Sequence, residues 1–107
     1  MSNKQTGATQ LPTAEQLTIE TFIDALWMEQ GLSRNTLDAY GNDLKQFTGW
    51  LKTQQTTTTL DKVEQADIQQ YLSYRSIKAK SPRSTARLIS TLRRFYAWLY
   101  RENKIRK

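Results

Sequence analysis

Apolar residues recur at helical spacing in four stretches of this chain, and none of them alternates convincingly as a strand. The first stretch holds Leu17, Ile19, Phe22, Ile23, Leu26 and Trp27, close to the i, i+3, i+4, i+7 template of a one-sided helix. Thr13 follows Pro12 and has Gln16 three residues on, the form of a capping box, so the first helix opens at Thr13. Gly31 supplies its stop. In the second stretch Leu37, Tyr40, Leu44, Phe47 and Leu51 are spaced by threes and fours, which predicts a helix from a Ser33 cap to about residue 52. Gly41 and Gly49 interrupt its polar side, each costing roughly 1 kcal/mol relative to Ala. A break at residues 41–43 is the alternative, but the stripe stays in phase across them, so one helix is expected.

Residues 53–59 include four consecutive threonines and are expected to form a loop. A shorter third helix follows over about residues 65–76, with Ile68, Tyr71, Leu72 and Arg75 on one face and a weak start at Glu64. After a basic connector at residues 77–80, Ser81-Pro82 pairs an N-cap with proline at the first helical position. The fourth helix is expected from Pro82 to about residue 102, burying Leu88, Ile89, Leu92, Phe95, Tyr96 and Leu99. Residues 1–12 are polar and aperiodic, as in a disordered leader. The pattern therefore predicts an all-α domain over residues 13–105, a small four-helix bundle joined by short connections.

Charge changes this picture. Residues 73–107 hold eleven of the sixteen basic side chains and one acid, Glu102, whereas the first 72 residues hold five basic and nine acidic ones. Such a polarity points to a polyanionic partner, with nucleic acid the first candidate. The chain has no histidine and no cysteine, which removes His-based acid–base catalysis, Ser-His triads, disulfides and thiolate zinc sites. No apolar run approaches the length of a membrane span or a signal-peptide core, so a cytoplasmic setting is expected.

On the fourth helix, Arg83, Arg87, Arg94 and Arg101 fall within about 40° of one another at 100° per residue, facing away from Leu92 and Tyr96. A solvated charged face is the bland account of such a stripe, but it would want acids interleaved, and none lies between Ser73 and Arg101. Arginine's planar fork suits phosphates and guanine edges, and a helix of this length can lie in or across a major groove. The starts of the second helix (Ser33, Arg34, Asn35, Thr36) and the fourth (Ser81, Arg83, Ser84, Thr85) each put hydroxyls, a guanidinium and open backbone N–H groups at a positive helix end. Trp98 lies toward the arginine face and is read as shielding the core edge rather than stacking on a base. Asp61, Glu64 and Asp67 are read as acids around a helix N-terminus rather than as a metal cluster.

Two strings carry a family resemblance: Leu32-Ser33-x-Asn35-Thr36-Leu37-x-Ala39-Tyr40-x-x-Asp43-Leu44, and Thr85-Ala86-Arg87-Leu88-Ile89-Ser90-x-Leu92-Arg93-Arg94-Phe95-Tyr96. Together they resemble the N-terminal core-binding domain of tyrosine site-specific recombinases, nearest the chromosome-dimer-resolving members. The resemblance implies a SAM-like helical fold that forms half of a clamp on double-stranded DNA at a recombination half-site. It implies that Ser33, Arg34, Asn35 and Thr36, with Ser81, Arg83, Ser84, Thr85 and Arg87, match DNA-facing positions. Arg94 and Arg101 share the stripe farther from the helix start. It further implies a paired recombinase in a tetrameric synapse, with the first helix helping to join protomers, and no metal or nucleotide cofactor. The family's catalytic residues belong to a following domain, so no catalytic residue is expected here and Lys107 falls where an interdomain linker would begin. Two other readings stay open: a phage or transposon integrase, and a basic helical module for an acidic protein or membrane surface.

Overall fold

Three of the four described α-helices begin where a hydroxyl stands in for the missing backbone acceptor. A computed structural model describes residues 13–54, 58–102 and 104–105. It contains α1 (Ala14–Gln30), α2 (Arg34–Thr53), a single 3-10 turn (Leu60–Lys62), α3 (Gln65–Ile77) and α4 (Pro82–Arg101). No strand occurs among the described residues. At the start of α1, Gln16 N–H donates to Thr13 Oγ1 at 3.1 Å while Thr13 N–H donates to Gln16 Oε1 at 2.8 Å, completing the expected capping box. The hydroxyl oxygens of Ser33 and Ser81 accept from Thr36 and Ser84 N–H at 3.2 and 3.1 Å, and Pro82 opens α4. The weak start at Glu64 is repaired from within α3, where Asp67 Oδ2 accepts the Glu64 N–H at 2.9 Å. The expected leader (1–12), the middle of the threonine loop (55–57) and the expected linker start (106–107) lie outside the described residues.

Two aromatic clusters organise the interior. Phe22 of α1 meets Phe95 of α4 edge-on at 5.2 Å and Trp98 at 5.5 Å, joining the first helix to the last. Phe47 and Trp50 of α2 meet Tyr71 of α3 at 4.9 and 5.1 Å, joining the middle pair. Leu44, Leu88 and Leu99 fill the space between, each at most 1% exposed. Fully burying side chains of this size contributes roughly 1.5–3 kcal/mol apiece. The stripe expected on α2 is buried at all five positions, and Leu88, Leu92, Phe95 and Leu99 are buried on α4, with Ile89 and Tyr96 half-buried. Trp98 belongs to the core, as the shielding role required.

Three details differ from the sequence pattern. Helix α2 runs unbroken through Gly41, which is buried against Ile23 rather than on the polar side. On α1, Leu17 and Trp27 fall within the apolar pattern, yet both are about half exposed, because only Ile19, Phe22 and Leu26 meet the other helices squarely. The α3–α4 connection turns through Ala79, whose φ of 58° is left-handed. That turn lets Lys80 N–H donate back to Arg75 O at 3.2 Å, a closure normally given to glycine because it lacks the Cβ that crowds this conformation.

Ala79→Gly should therefore raise stability by about 0.5–1 kcal/mol, since relief of left-handed strain outweighs the added freedom of the unfolded chain. A urea midpoint that moves downward would show that the turn carries no such strain.

Candidate nucleic-acid interface

Four of the five arginines of α4, Arg83, Arg87, Arg94 and Arg101, share one exposed face, but three of those four are engaged by groups on α1 and α2. Arg87 donates through Nε to Asp43 Oδ2 at 2.9 Å and through a terminal nitrogen to Oδ1 at 2.7 Å. Arg94 donates to Gln30 Oε1 and lies 5.9 Å above the Tyr40 ring. Arg101 spans both carboxylate oxygens of Glu29 at 3.0 and 3.1 Å and approaches Glu102 at 3.5 Å. Only Arg83 of the four is exposed without a hydrogen bond or ion pair to another described residue. The expectation that all four project freely for a ligand thus needs correction. Acids and amides of the acidic half of the chain pair with arginines of the basic half, so the charge polarity serves the fold as well as any partner.

The Arg87 contact differs in kind from the others. Asp43 is 1% exposed, while the Arg87 side chain is 42% exposed. The carboxylate accepts both guanidinium bonds and a third from Thr91 Oγ1 at 3.0 Å, and Thr91 is fully buried. A carboxylate this deep is tolerated only when paired and hydrogen-bonded. The hydrogen bond to Asp43 raises the Arg87 pKa further above its ordinary value, so the cation is permanent. The clamp fixes α4 on α2, with residue 43 facing 87 and 91 and residue 40 facing 94, an antiparallel pairing.

This pairing sets the two helix starts apart. Ser33 and Thr36 spend their hydroxyls on each other and on the cap, leaving Arg34 and Asn35 exposed and without side-chain partners among the described residues. Their backbone N–H groups, and that of Arg83, have no intrahelical acceptor. Ser81 is the α4 cap, Ser84 Oγ accepts from Arg75 at 2.8 Å, and Thr85 is half-buried. The two starts stand on the order of 20 Å apart, from the helical rise counted along the antiparallel pair. They are separate positions, each with open backbone N–H groups at a positive helix end.

Over residues 19–103 the sequence matches the family described as phage integrase, N-terminal SAM-like domain. The chain belongs to this family. Among curated proteins it is similar to the tyrosine recombinase XerD of Proteus mirabilis, 47% identical across 78% of this chain and 26% of that protein. The XerD proteins of Shewanella oneidensis and Pseudomonas putida are 45% and 40% identical, over 81% and 89% of this chain and 28% and 31% of theirs. The chain thus spans roughly a quarter to a third of the length of these relatives. No solved structure matches it. The SAM-like, all-α, four-helix architecture is the one the two sequence strings implied.

The sequence reading missed the buried polar set, though its signal was present. Asp43 is three residues from Tyr40 and four from Phe47, and Thr91 stands three from Leu88 and four from Phe95. Both are in phase with buried stripes, where a polar residue needs a partner. Removing that partner by Arg87→Ala should cost about 2–4 kcal/mol, less than for a wholly enclosed pair because Arg87 is partly solvated. Combining it with Asp43→Leu should recover much of the loss, because no uncompensated carboxylate then remains. Additive urea midpoints across this cycle would contradict the clamp.

Proposed function

We propose that this chain grips double-stranded DNA as the core-binding domain of a XerD-type tyrosine recombinase, holding one recombination half-site for site-specific recombination and chromosome dimer resolution. The observation that carries the reading is the pair of serine-capped helix starts presenting Arg34, Asn35 and Arg83 to solvent. An open helix start combined with a guanidinium offers a phosphate both dipolar and charge-assisted hydrogen bonding. Two such starts, on the order of 20 Å apart, exceed the roughly 12 Å width of a major groove, so they suit phosphates on either side of one. Most contacts in this arrangement go to phosphates, so they position the domain rather than read its sequence.

Within this reading, Arg87 holds α2 and α4 in register, Arg94 and Arg101 make exposed contacts to α1, and Ser33, Thr36, Ser81, Ser84 and Thr85 shape the starts. Strand exchange is assigned to the part of the intact recombinase that corresponds to the rest of its relatives' length. A paired XerC-type recombinase in a tetrameric synapse is the expected partner on DNA. In support of a protein contact, α1 exposes Trp27 and Met28 at 55% and 81%.

If Arg34 and Arg83 each neutralise one phosphate and Lys78 with Lys80 a third, log affinity for duplex DNA should fall with log salt at a slope near −2.7. Arg34→Ala with Arg83→Ala should flatten that slope by about 2 while leaving the melting temperature unchanged. A salt-independent affinity, or equal binding to anionic vesicles, would favour a basic protein-interaction module instead.

A further inference from the structure

Arg75 stands in an unusual state for a cation. It is 3% exposed, its Nε has no hydrogen-bond acceptor, and a terminal nitrogen donates to the neutral Ser84 Oγ at 2.8 Å. Its other polar neighbour among the described residues is the neutral Tyr71 phenol, whose pKa burial raises while the hydrogen bond and charge of Arg75 work to lower it. No carboxylate among the described residues lies within ion-pair distance of it. Asp43, the one buried acid among the described residues, already accepts two bonds from Arg87 and one from Thr91. A guanidinium cannot shed its charge, so this buried positive charge has neutral oxygens but no anion facing it among the described residues.

The same side chain lines an open pocket of about 460 Å³ between α2 and α3. Trp50, Tyr71 and Tyr74 form its aromatic wall, Gln46 lends an amide, and Lys78 and Lys80 complete the lining. No Asp or Glu lines it. Lys78 Nζ lies 5.8 Å from the Tyr74 ring, and Arg75 Cζ 5.9 Å from that of Tyr71, so the wall orients both cations. The left-handed turn at Ala79 brings Lys80 back onto Arg75, and Ser84 ties the pocket to the start of α4.

We propose that this pocket is a phosphate-binding site, built by Arg75, Lys78 and Lys80, that takes one phosphodiester of the duplex gripped at the α4 start. The assignment rests on the DNA-binding reading and adds to it a buried anchor beside the exposed Arg83. A phosphodiester supplies the acceptor oxygens that Arg75 lacks, and the guanidinium fork can engage two of them. The two lysines add charge at positions that need no rearrangement of the core. The free chain therefore carries an electrostatic cost that its ligand relieves.

The test measures duplex affinity across a salt series, and melting temperature with inorganic phosphate against chloride at matched ionic strength. Arg75→Met keeps the side-chain volume and removes the charge. It should weaken duplex binding roughly tenfold at fixed salt and flatten the salt slope by about 0.9. Its melting temperature without phosphate should equal or exceed that of the unsubstituted chain, because the unpaired cation is gone. Phosphate should stabilise the unsubstituted chain and not the variant. Lys78→Gln with Lys80→Gln, both exposed, should weaken duplex binding without touching the core. A merely structural Arg75 would give the opposite pattern, a lower melting temperature with duplex affinity retained, and that would overturn the proposal. Phosphate stabilisation combined with unchanged duplex affinity in both variants would overturn the phosphodiester assignment in favour of free phosphate. If the unsubstituted chain binds no duplex, the DNA reading itself falls, and the phosphate arm alone then decides whether the pocket binds anions.

Discussion

One buried carboxylate determines how this small domain can be assembled. Asp43 lies inside the α2–α4 seam at 1% exposure, and it is tolerable there only because Arg87 and Thr91 arrive from α4 with three hydrogen bonds. Apolar packing alone would allow α4 to slide or rotate on α2 with modest loss, since Leu, Phe and Trp contacts are not directional. A bidentate ion pair with a third bond from a hydroxyl is directional, and shifting α4 by one residue would strand the carboxylate. The register so fixed places Arg94 beside Gln30 and over Tyr40, and Arg101 on Glu29. These outer contacts are solvent-exposed and each is worth little by itself, about 0–1 kcal/mol for the Arg101 pair. Their value lies in following from a register already set.

The helices themselves were legible because capping and periodicity are local. Thr13 with Gln16, Ser33, and Ser81 with Pro82 mark three starts by chemistry that acts within four residues. Phase on α2 and α4 likewise depends on nothing outside the helix. Tertiary consequences were harder to read. Leu17 and Trp27 fit an apolar stripe as well as Phe22 does, and only the positions of α2 and α4 decide which of them is covered. The Ala79 turn was hidden because a left-handed alanine carries no compositional mark, whereas glycine there would have announced itself.

The candidate residues were legible as a shared arginine face, while their engagement by other helices was missed for one physical reason. Segregation of charge along a sequence says little about segregation in space. Acids of α1 and α2 and arginines of α4 are far apart in the chain, yet folding makes them neighbours, so Arg87 and Arg101 are matched by Asp43 and Glu29. Counting acids only between Ser73 and Arg101 left those partners out. Exposed and without side-chain partners among the described residues are Arg34 and Asn35 at one helix start and Arg83 at the other, in a domain belonging to the phage integrase SAM-like family. The resemblance in the two sequence strings pointed to that family correctly because it rests on cap residues together with buried ones, including Asp43, whose role only the folded seam makes plain.

Arginines in this molecule therefore fall into three classes distinguished by what faces them. Where a carboxylate or amide faces the guanidinium, the cation is matched within the fold, firmly at Arg87 on buried Asp43 and loosely at the exposed Arg94 and Arg101. Where water faces it, as at Arg34 and Arg83, the cation can meet a phosphate at small desolvation cost and with correspondingly modest affinity. Arg75 belongs to neither class, since it is withdrawn from water and has only Ser84 and aromatic rings around it. The desolvation that makes the first class strong has already occurred at Arg75, while the partner that justifies it is missing. A ligand anion arriving there meets a preorganised, dehydrated donor, which is the condition under which a single charge-assisted contact counts most. The same reasoning explains why such a residue coexists with the Asp43 clamp: the clamp supplies the stability that lets one cation nearby stay unpaired.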